Sequence, residues 1–340
     1  MARKRLVGET TPVIAYLEPT LRCNHRCVHC YVEQNIPQAS EELSLLEINT
    51  LLDGLASLGA LILVITGGEP LLRPDWPHIL QAARKRGFAP VLFTNGSLIN
   101  ESVARALKEL AVLGVEISFH GADAPTHDRV TGVTGSFVRA VNAVKLLKLQ
   151  GIRVKAKGNL LNANKGDVNA MLALSETLGC EYTFDPLIYP CRDGADRPLA
   201  ERLPDAGLAR VYSDKRLVHA VKPRRRSYLE VPENRLCGAG ANIVAVSANG
   251  DVSPCVPMKL VAGNIREKSI VDIWNNSPVF VQLRKYRNRD LAECNACSMT
   301  RHCIRCSALS YNETGDPLSC ATLSRQIGGV RKQIAEGACV

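Results

Sequence analysis

The sequence has no apolar stretch long enough to cross a bilayer. Its longest, around Ala60–Ile65, falls far short of the roughly 20 residues a spanning helix needs. The basic start, Met1–Arg5, is followed by no hydrophobic core of a secretory signal. These two absences imply a soluble, cytoplasmic chain with no membrane partner. There is also no internal repeat, no low-complexity tract and no nucleic-acid-binding motif. The formal charge of +9 therefore argues for acidic partners such as phosphates, carboxylates or an acidic peptide, not for nucleic acid. Only Met1–Arg5 and Lys222–Arg226 concentrate that charge. What the sequence does have is apolar residues, 46% of 340, enough for a sizeable core and too many for disorder. It also has thirteen cysteines. A reducing compartment disfavours disulfides, and the clustering of these cysteines points to metal ligation instead.

From residue 13 to about 190, β-rich runs alternate with helical ones. The expected strands are Val13–Leu17, Leu61–Thr66, Ala89–Thr94, Val115–Phe119, Arg153–Leu160 and Glu181–Leu187. The expected helices are Leu45–Leu58, Trp76–Arg86, Glu101–Ala111, Ser136–Gln150 and Asp167–Thr177. Successive βα units make a parallel sheet, and six are too few for a closed eight-stranded barrel, so a partial, open barrel is expected. Glu116, Ser118 and His120 alternate with Val115, Ile117 and Phe119, and Arg153, Lys155, Lys157 and Asn159 alternate with Val154, Ala156 and Gly158. Outer helices need the apolar faces, so the polar faces should line a wet interior cavity; a solvated edge strand is the alternative. Residues 191–232 are expected to be a linker. Beyond it should lie a loop-rich segment with a turn at Ala248–Asp251, one helix within Ile270–Arg287 and a tail over 326–340.

Directly after the first strand, Cys23, Cys27 and Cys30 fall within eight residues. Three thiolates from one loop would leave one iron of a four-iron cluster free to chelate a ligand. A structural zinc ion completed by His25 or His29 is the alternative. The loop's place at the C-terminal end of a βα strand, where such folds carry their chemistry, favours iron and sulfur. The second strand ends in Thr66-Gly67-Gly68-Glu69-Pro70 and the third in Thr94-Asn95-Gly96.

With these motifs, residues 13–190 resemble the radical S-adenosylmethionine (SAM) superfamily. The resemblance implies an α/β fold, a partial (β/α)6 TIM-like barrel over residues 10–190. It also implies a [4Fe-4S] cluster on Cys23, Cys27 and Cys30, with SAM bound to it. Gly67, Gly68, Glu69 and Pro70 would contact SAM, Glu69 and the glycine carbonyls accepting hydrogen bonds from its ammonium. His29 would lie by the adenine, and Ser118 and Asn159 are candidate ribose contacts. An electron from the reduced cluster would cleave SAM to a 5′-deoxyadenosyl radical, which removes hydrogen from a C–H bond. An external donor such as flavodoxin or ferredoxin would supply that electron. His120 is a candidate proton donor or acceptor, or equally a supporting hydrogen-bonding residue.

Residues 233–325 resemble the SPASM domain, a cysteine-rich extension that binds one or two auxiliary iron–sulfur clusters. The match rests on Cys237, Gly250 ahead of Cys255, then Cys294, Cys297, Cys303, Cys306 and Cys320. The family's CxxxC is here CxxC, Cys303 to Cys306. By resemblance Cys294, Cys297, Cys303 and Cys320 hold one cluster. Cys237, Cys255 and Cys306 hold another, one ligand short; Cys191 is a candidate fourth ligand, or an unligated loop thiol. Cys180 reads as a core residue at a strand start, and Cys339 as part of the tail. A zinc ribbon or a non-catalytic electron carrier is the reading of another class.

The stretch Phe119-His120-Gly121 through Thr126–Gly132 resembles maturases of peptides, which implies a peptide or protein substrate modified at C–H bonds, with crosslink formation as one outcome. With the first strand near residue 13, a leader-peptide-binding module would be a separate protein. A haem-type or quinone-cofactor maturase is the runner-up, supported by the CxxC spacing and by Tyr311–Asp316.

Overall fold

The computed structural model describes residues 10–32, 41–214 and 231–337. The basic clusters Met1–Arg5 and Lys222–Arg226, and Cys339, lie outside the described residues.

Six parallel strands follow one another across the sheet: β1 (Ile14–Leu17), β2 (Ile62–Ile65), β3 (Ala89–Thr94), β4 (Gly114–Ser118), β5 (Val154–Asn159) and β6 (Glu181–Asp185). The helices are α1 (Leu45–Ser57), α2 (Trp76–Lys85), α3 (Glu101–Glu109), α4 (Ala124–Thr131), α5 (Ser136–Leu149) and α6 (Val168–Leu178). The first of these starts on a reciprocal cap: Ser44 Oγ accepts the Glu47 N–H, and the Glu47 carboxylate accepts the Ser44 N–H. Alternate residues of each strand go to the helical side. Ala15, Leu17, Leu63, Leu92, Val115 and Ile117 share one buried core with Ile48, Leu52, Ile79, Ala104 and Leu147 of the helices. The other faces turn inward. Tyr16, Phe93, Ser118, Lys157 and Asn159 line a cavity, so the alternation of β4 and β5 marks an interior surface and not a solvated edge.

The C-terminal half is joined to this sheet. Its strand β7 (Ile243–Val246) pairs in parallel with β1, Ile14 opposite Ile243 and Leu17 opposite Val246. The short strands β8 (Asp251–Ser253) and β9 (Gly263–Asn264) extend it antiparallel, giving nine strands in the order β6-β5-β4-β3-β2-β1-β7-β8-β9. The β7–β8 turn is the expected one, with Gly250 at φ 92° donating its N–H to Ser247 O.

Three expectations are corrected. The linker is folded where it is described: a 3₁₀ turn (Arg197–Glu201) leads into α7 (Asp205–Ser213), which buries Leu208, Val211 and Tyr212. The single helix within Ile270–Arg287 is two, α8 (Ile270–Asn276) and α9 (Pro278–Lys285). Pro278 has no N–H to continue α8 and forces Ser277 into an extended conformation (ψ 128°), where its hydroxyl donates to Ala262 O. The expected tail is helical through Ala335: α12 (Thr322–Ala335) buries Leu323, Ile327 and Val330. Between these lie two shorter helices, α10 (Ala292–Asn295) and α11 (Ser307–Thr314). Among the described residues no helix is long and apolar enough to cross a membrane.

Trp274 anchors the C-terminal half. It is fully buried, its ring 5.1 Å from that of Phe280, with the Arg284 guanidinium 4.3 Å over it and its Nε1 donating to Thr10 O at 2.8 Å. Truncating such a ring typically costs about 3–5 kcal/mol. Trp274→Ala should therefore lower the thermal midpoint by many degrees, and a midpoint within a degree or two of the parent would refute this packing role.

Candidate active site

The three-cysteine loop leaves β1 at the C-terminal edge of the sheet, and four neighbouring segments hold it. On the β2 side, Gly68 N–H donates to Thr20 O (3.0 Å) and Glu69 N–H to Arg22 O (2.8 Å). A Cβ on Gly67 would overlap Thr20 O, and one on Gly68 would overlap the carbonyls of Leu21 and Arg22. The glycines are thus required by the backbone of the cysteine loop itself, and Gly67 also needs its φ of +118°. On the β3 side, Asn95 Nδ2 donates to Asn24 Oδ1 (2.7 Å), and His25 Nε2 lies 2.8 Å from Ser97 Oγ. On the α4 side, Arg26 and Val28 donate their N–H groups to Thr131 O and Val130 O, and Gly132 at φ +69° packs against Arg26. Finally, the segment after β6 holds the loop's end. Arg192 N–H donates to Tyr31 O (2.9 Å), and the Arg197 guanidinium donates to Cys30 O (3.2 Å).

Glu69 is placed differently from the expectation. Its carboxylate is fully buried and accepts the N–H groups of Leu71 (3.1 Å) and Asn95 (2.8 Å) and the Thr94 hydroxyl (2.8 Å). It ties the turn after β2 to the turn after β3, and neither it nor Pro70 lines the cavity. Burial pushes its carboxyl up to about 7, against the pull of those donors.

The cavity, about 990 Å³, begins at this loop. Cys23, Cys27, Cys30, His29, Gly67, Gly68, Ser118, His120 and Asn159 all border it, so the structure brings these expected site residues together. So do two thiols of the C-terminal half, Cys255 and Cys306. The His29 and His120 rings meet edge to face with centroids 4.5 Å apart. The backbone of His120 is pinned on both sides: its N–H donates to His127 Nδ1 (3.1 Å) and its carbonyl accepts from Asn164 Nδ2 (3.1 Å).

Burial and the neighbouring thiols push Cys27 and Cys30 up, and burial takes Cys23 to about 11. Three such neighbours become thiolates together only against a bound cation, which suits a metal group. Three thiols on one loop are the donor set that iron–sulfur clusters take; among the described residues no three or more His, Cys, Asp or Glu side chains are already drawn around one point. In the C-terminal half, neighbouring thiols act electrostatically on one another. Cys303 is driven to about 12 by burial and by the charges of Cys320, Cys294 and Cys297. Cys255 is raised by burial and by Cys306 and Cys237. Cys191 is buried against the first loop, its thiol 3.7 Å from Cys30 O. Cys180 is half-buried against the core at the start of β6.

The α4 clamp and the Arg192–Arg197 strap escaped the sequence reading. Asp128 organises the clamp by accepting from Gly135 N–H (2.6 Å), Ser136 Oγ (2.8 Å) and Phe137 N–H (2.9 Å), a signal carried by the stretch Thr126–Gly132 but read there only as a family likeness.

Comparison with known proteins agrees with this geometry. The Radical SAM superfamily model matches residues 17–172, and the SPASM iron–sulfur cluster-binding domain matches residues 237–298. The chain is 30% identical to mycofactocin maturase MftC of Mycobacterium ulcerans over 92% of this chain and 87% of that one. It is 27% identical to the AdoMet-dependent heme synthase of Methanosarcina barkeri over 90% of this chain and 94% of that one. With the PqqA peptide cyclase of Xanthomonas euvesicatoria it shares 29% identity, over 80% and 77%. Among solved structures, Streptococcus suis SuiB bound to precursor peptide SuiA superposes with a TM-score of 0.71 at 16% identity, over 93% of this chain and 76% of that one.

Two predictions follow from the loop. Gly68→Ala should lose the iron of the N-terminal site while the C-terminal half keeps its own, as read by iron content and electron paramagnetic resonance; a full complement of iron would refute the clamp. Burial lowers His25, His29 and His127 to about 4, and His120 well below its ordinary value. Because the unfolded chain takes up these protons first, stability is lost as pH falls from about 6.5 toward 4, by several kcal/mol in total. Glu69 and Asp185, whose carboxyls burial raises, work in the opposite sense but are fewer than the lowered histidines. His127→Asn, which keeps an acceptor for His120 N–H, should show a shallower fall of the thermal midpoint between pH 7 and 5. An identical slope would refute this assignment.

This is an enzyme of the radical SAM superfamily with a C-terminal SPASM domain, built to work with S-adenosylmethionine and iron–sulfur clusters.

Proposed function

We propose that the enzyme is a maturase that modifies a peptide or protein at an unactivated C–H bond. The observation that carries this reading is the single cavity shared by the N-terminal loop and two thiols of the C-terminal half. A substrate there would face both metal groups at once. The wall between them mixes apolar Leu187, Ile188, Val256 and Pro257 with Lys157, Asp185 and Arg197, which suits a segment of amphipathic chain. The cyclase relative named for a peptide and the fold neighbour holding one support the same reading.

Cys23, Cys27 and Cys30 would hold the catalytic cluster and leave one iron without a protein ligand. When bound, that cluster and SAM supply a 5′-deoxyadenosyl radical that removes a hydrogen atom from the substrate. The protein's own work is to place and to shield. Gly67 and Gly68 border the cavity beside the loop, where their carbonyls can take the ammonium of SAM. His29 and His120 form an aromatic corner suited to adenine, and Ser118 and Asn159 offer polar groups to the ribose. His120 is kept neutral by burial, so its ring can share a hydrogen bond at the cavity wall. The Cys294, Cys297, Cys303 and Cys320 set and the Cys237, Cys255 and Cys306 set would hold the auxiliary clusters. An electron donor of the flavodoxin or ferredoxin kind completes the proposed partners.

A tetrapyrrole is the second reading. It is favoured by the match to the heme synthase over 94% of that chain, and Lys157 and Arg197 could receive its carboxylates. Anaerobically reconstituted protein given SAM and dithionite should release 5′-deoxyadenosine, and the Cys23→Ala/Cys27→Ala/Cys30→Ala variant should release none. Continued release by the variant would sink the enzyme assignment. Added iron porphyrin should leave its Soret band unshifted; a saturable shift would replace the peptide reading with the tetrapyrrole one.

A further inference from the structure

Tyr189 lies in the loop after β6, and its hydroxyl oxygen is 3.3 Å from Cys306 Sγ. Tyr189, Cys306 and Cys255 border the same end of the cavity. A sulfur that holds a cluster is a thiolate with no proton to give, so at this distance the phenol O–H is the donor.

We propose that Tyr189 raises the reduction potential of the auxiliary cluster on Cys237, Cys255 and Cys306 by donating a hydrogen bond to the Cys306 thiolate. This rests on the reading that the trio holds a cluster. A reduced cluster carries one more negative charge, and a donor to its sulfur stabilises that form. The group that faces the substrate space would thereby be made the readier electron acceptor. Tyr189 is a positioning and tuning residue and not a ligand, because its oxygen is set toward sulfur.

The test is a redox titration, followed by electron paramagnetic resonance, of the full chain reconstituted anaerobically, as the parent and as Tyr189→Phe. The variant should keep its iron, with one auxiliary signal moved to a more negative midpoint and the N-terminal signal unmoved. An unchanged midpoint with full iron would overturn the proposal. Loss of iron in Tyr189→Phe, together with a tyrosinate-to-iron charge-transfer band in the parent, would replace donor by ligand. The Cys237→Ser/Cys255→Ser/Cys306→Ser variant isolates the underlying reading. Less iron than the parent supports a cluster on the trio, whereas parental iron would remove that cluster and the proposal with it.

Discussion

The catalytic loop depends on two backbones lying closer together than side chains permit. Gly67 and Gly68 pass so near the carbonyls of Thr20, Leu21 and Arg22 that no Cβ fits at either position. That proximity lets β2's exit hydrogen-bond to the run leading into Cys23, and Glu69 carries the connection on to the β3 turn through Thr94 and Asn95. Thiols desolvated as those of Cys27 and Cys30 are make poor thiolates without a cation. The same packing that orders the loop makes it a demanding metal site.

The parallel pairing of β7 with β1 performs a second positioning task. It brings the start of the cysteine-rich half alongside the strand that feeds the catalytic loop, so Cys255 and Cys306 come to border the same cavity as Cys23 and Cys27. Arg192 joins the parts. Its guanidinium pairs with buried Glu18 at 2.6 Å and donates to Val256 O, next to Cys255, while its N–H holds Tyr31. Removing one partner of so buried a pair leaves an uncompensated charge, which makes the strap costly to break and keeps the two metal-binding regions in fixed register.

Much of this was legible in the sequence, because period-two alternation and cysteine spacing are local signals. The inward faces of β4 and β5 followed from Ser118, Lys157 and Asn159 standing between apolar neighbours. The grouping of the C-terminal thiols came from family resemblance and not from any local pattern. What failed was long-range or subtle. The role of Glu69 depends on the register of β2 against β3, and the strap depends on where the chain turns after β6. The α8–α9 break was in fact written at Pro278 and overlooked in favour of hydrophobic periodicity. The apparent linker deceived because its Arg- and Pro-rich composition conceals the apolar side of α7, which packs against the distant α12.

The central claim is that one corner of the group held by Cys23, Cys27 and Cys30 is open to SAM. Electron–nuclear double resonance of the reduced protein with SAM labelled by nitrogen-15 at its amino group tests it most directly. The account predicts a nitrogen-15 coupling that vanishes when those three cysteines are replaced and survives replacement of the seven C-terminal ones. A protein with full iron that shows no such coupling would contradict it.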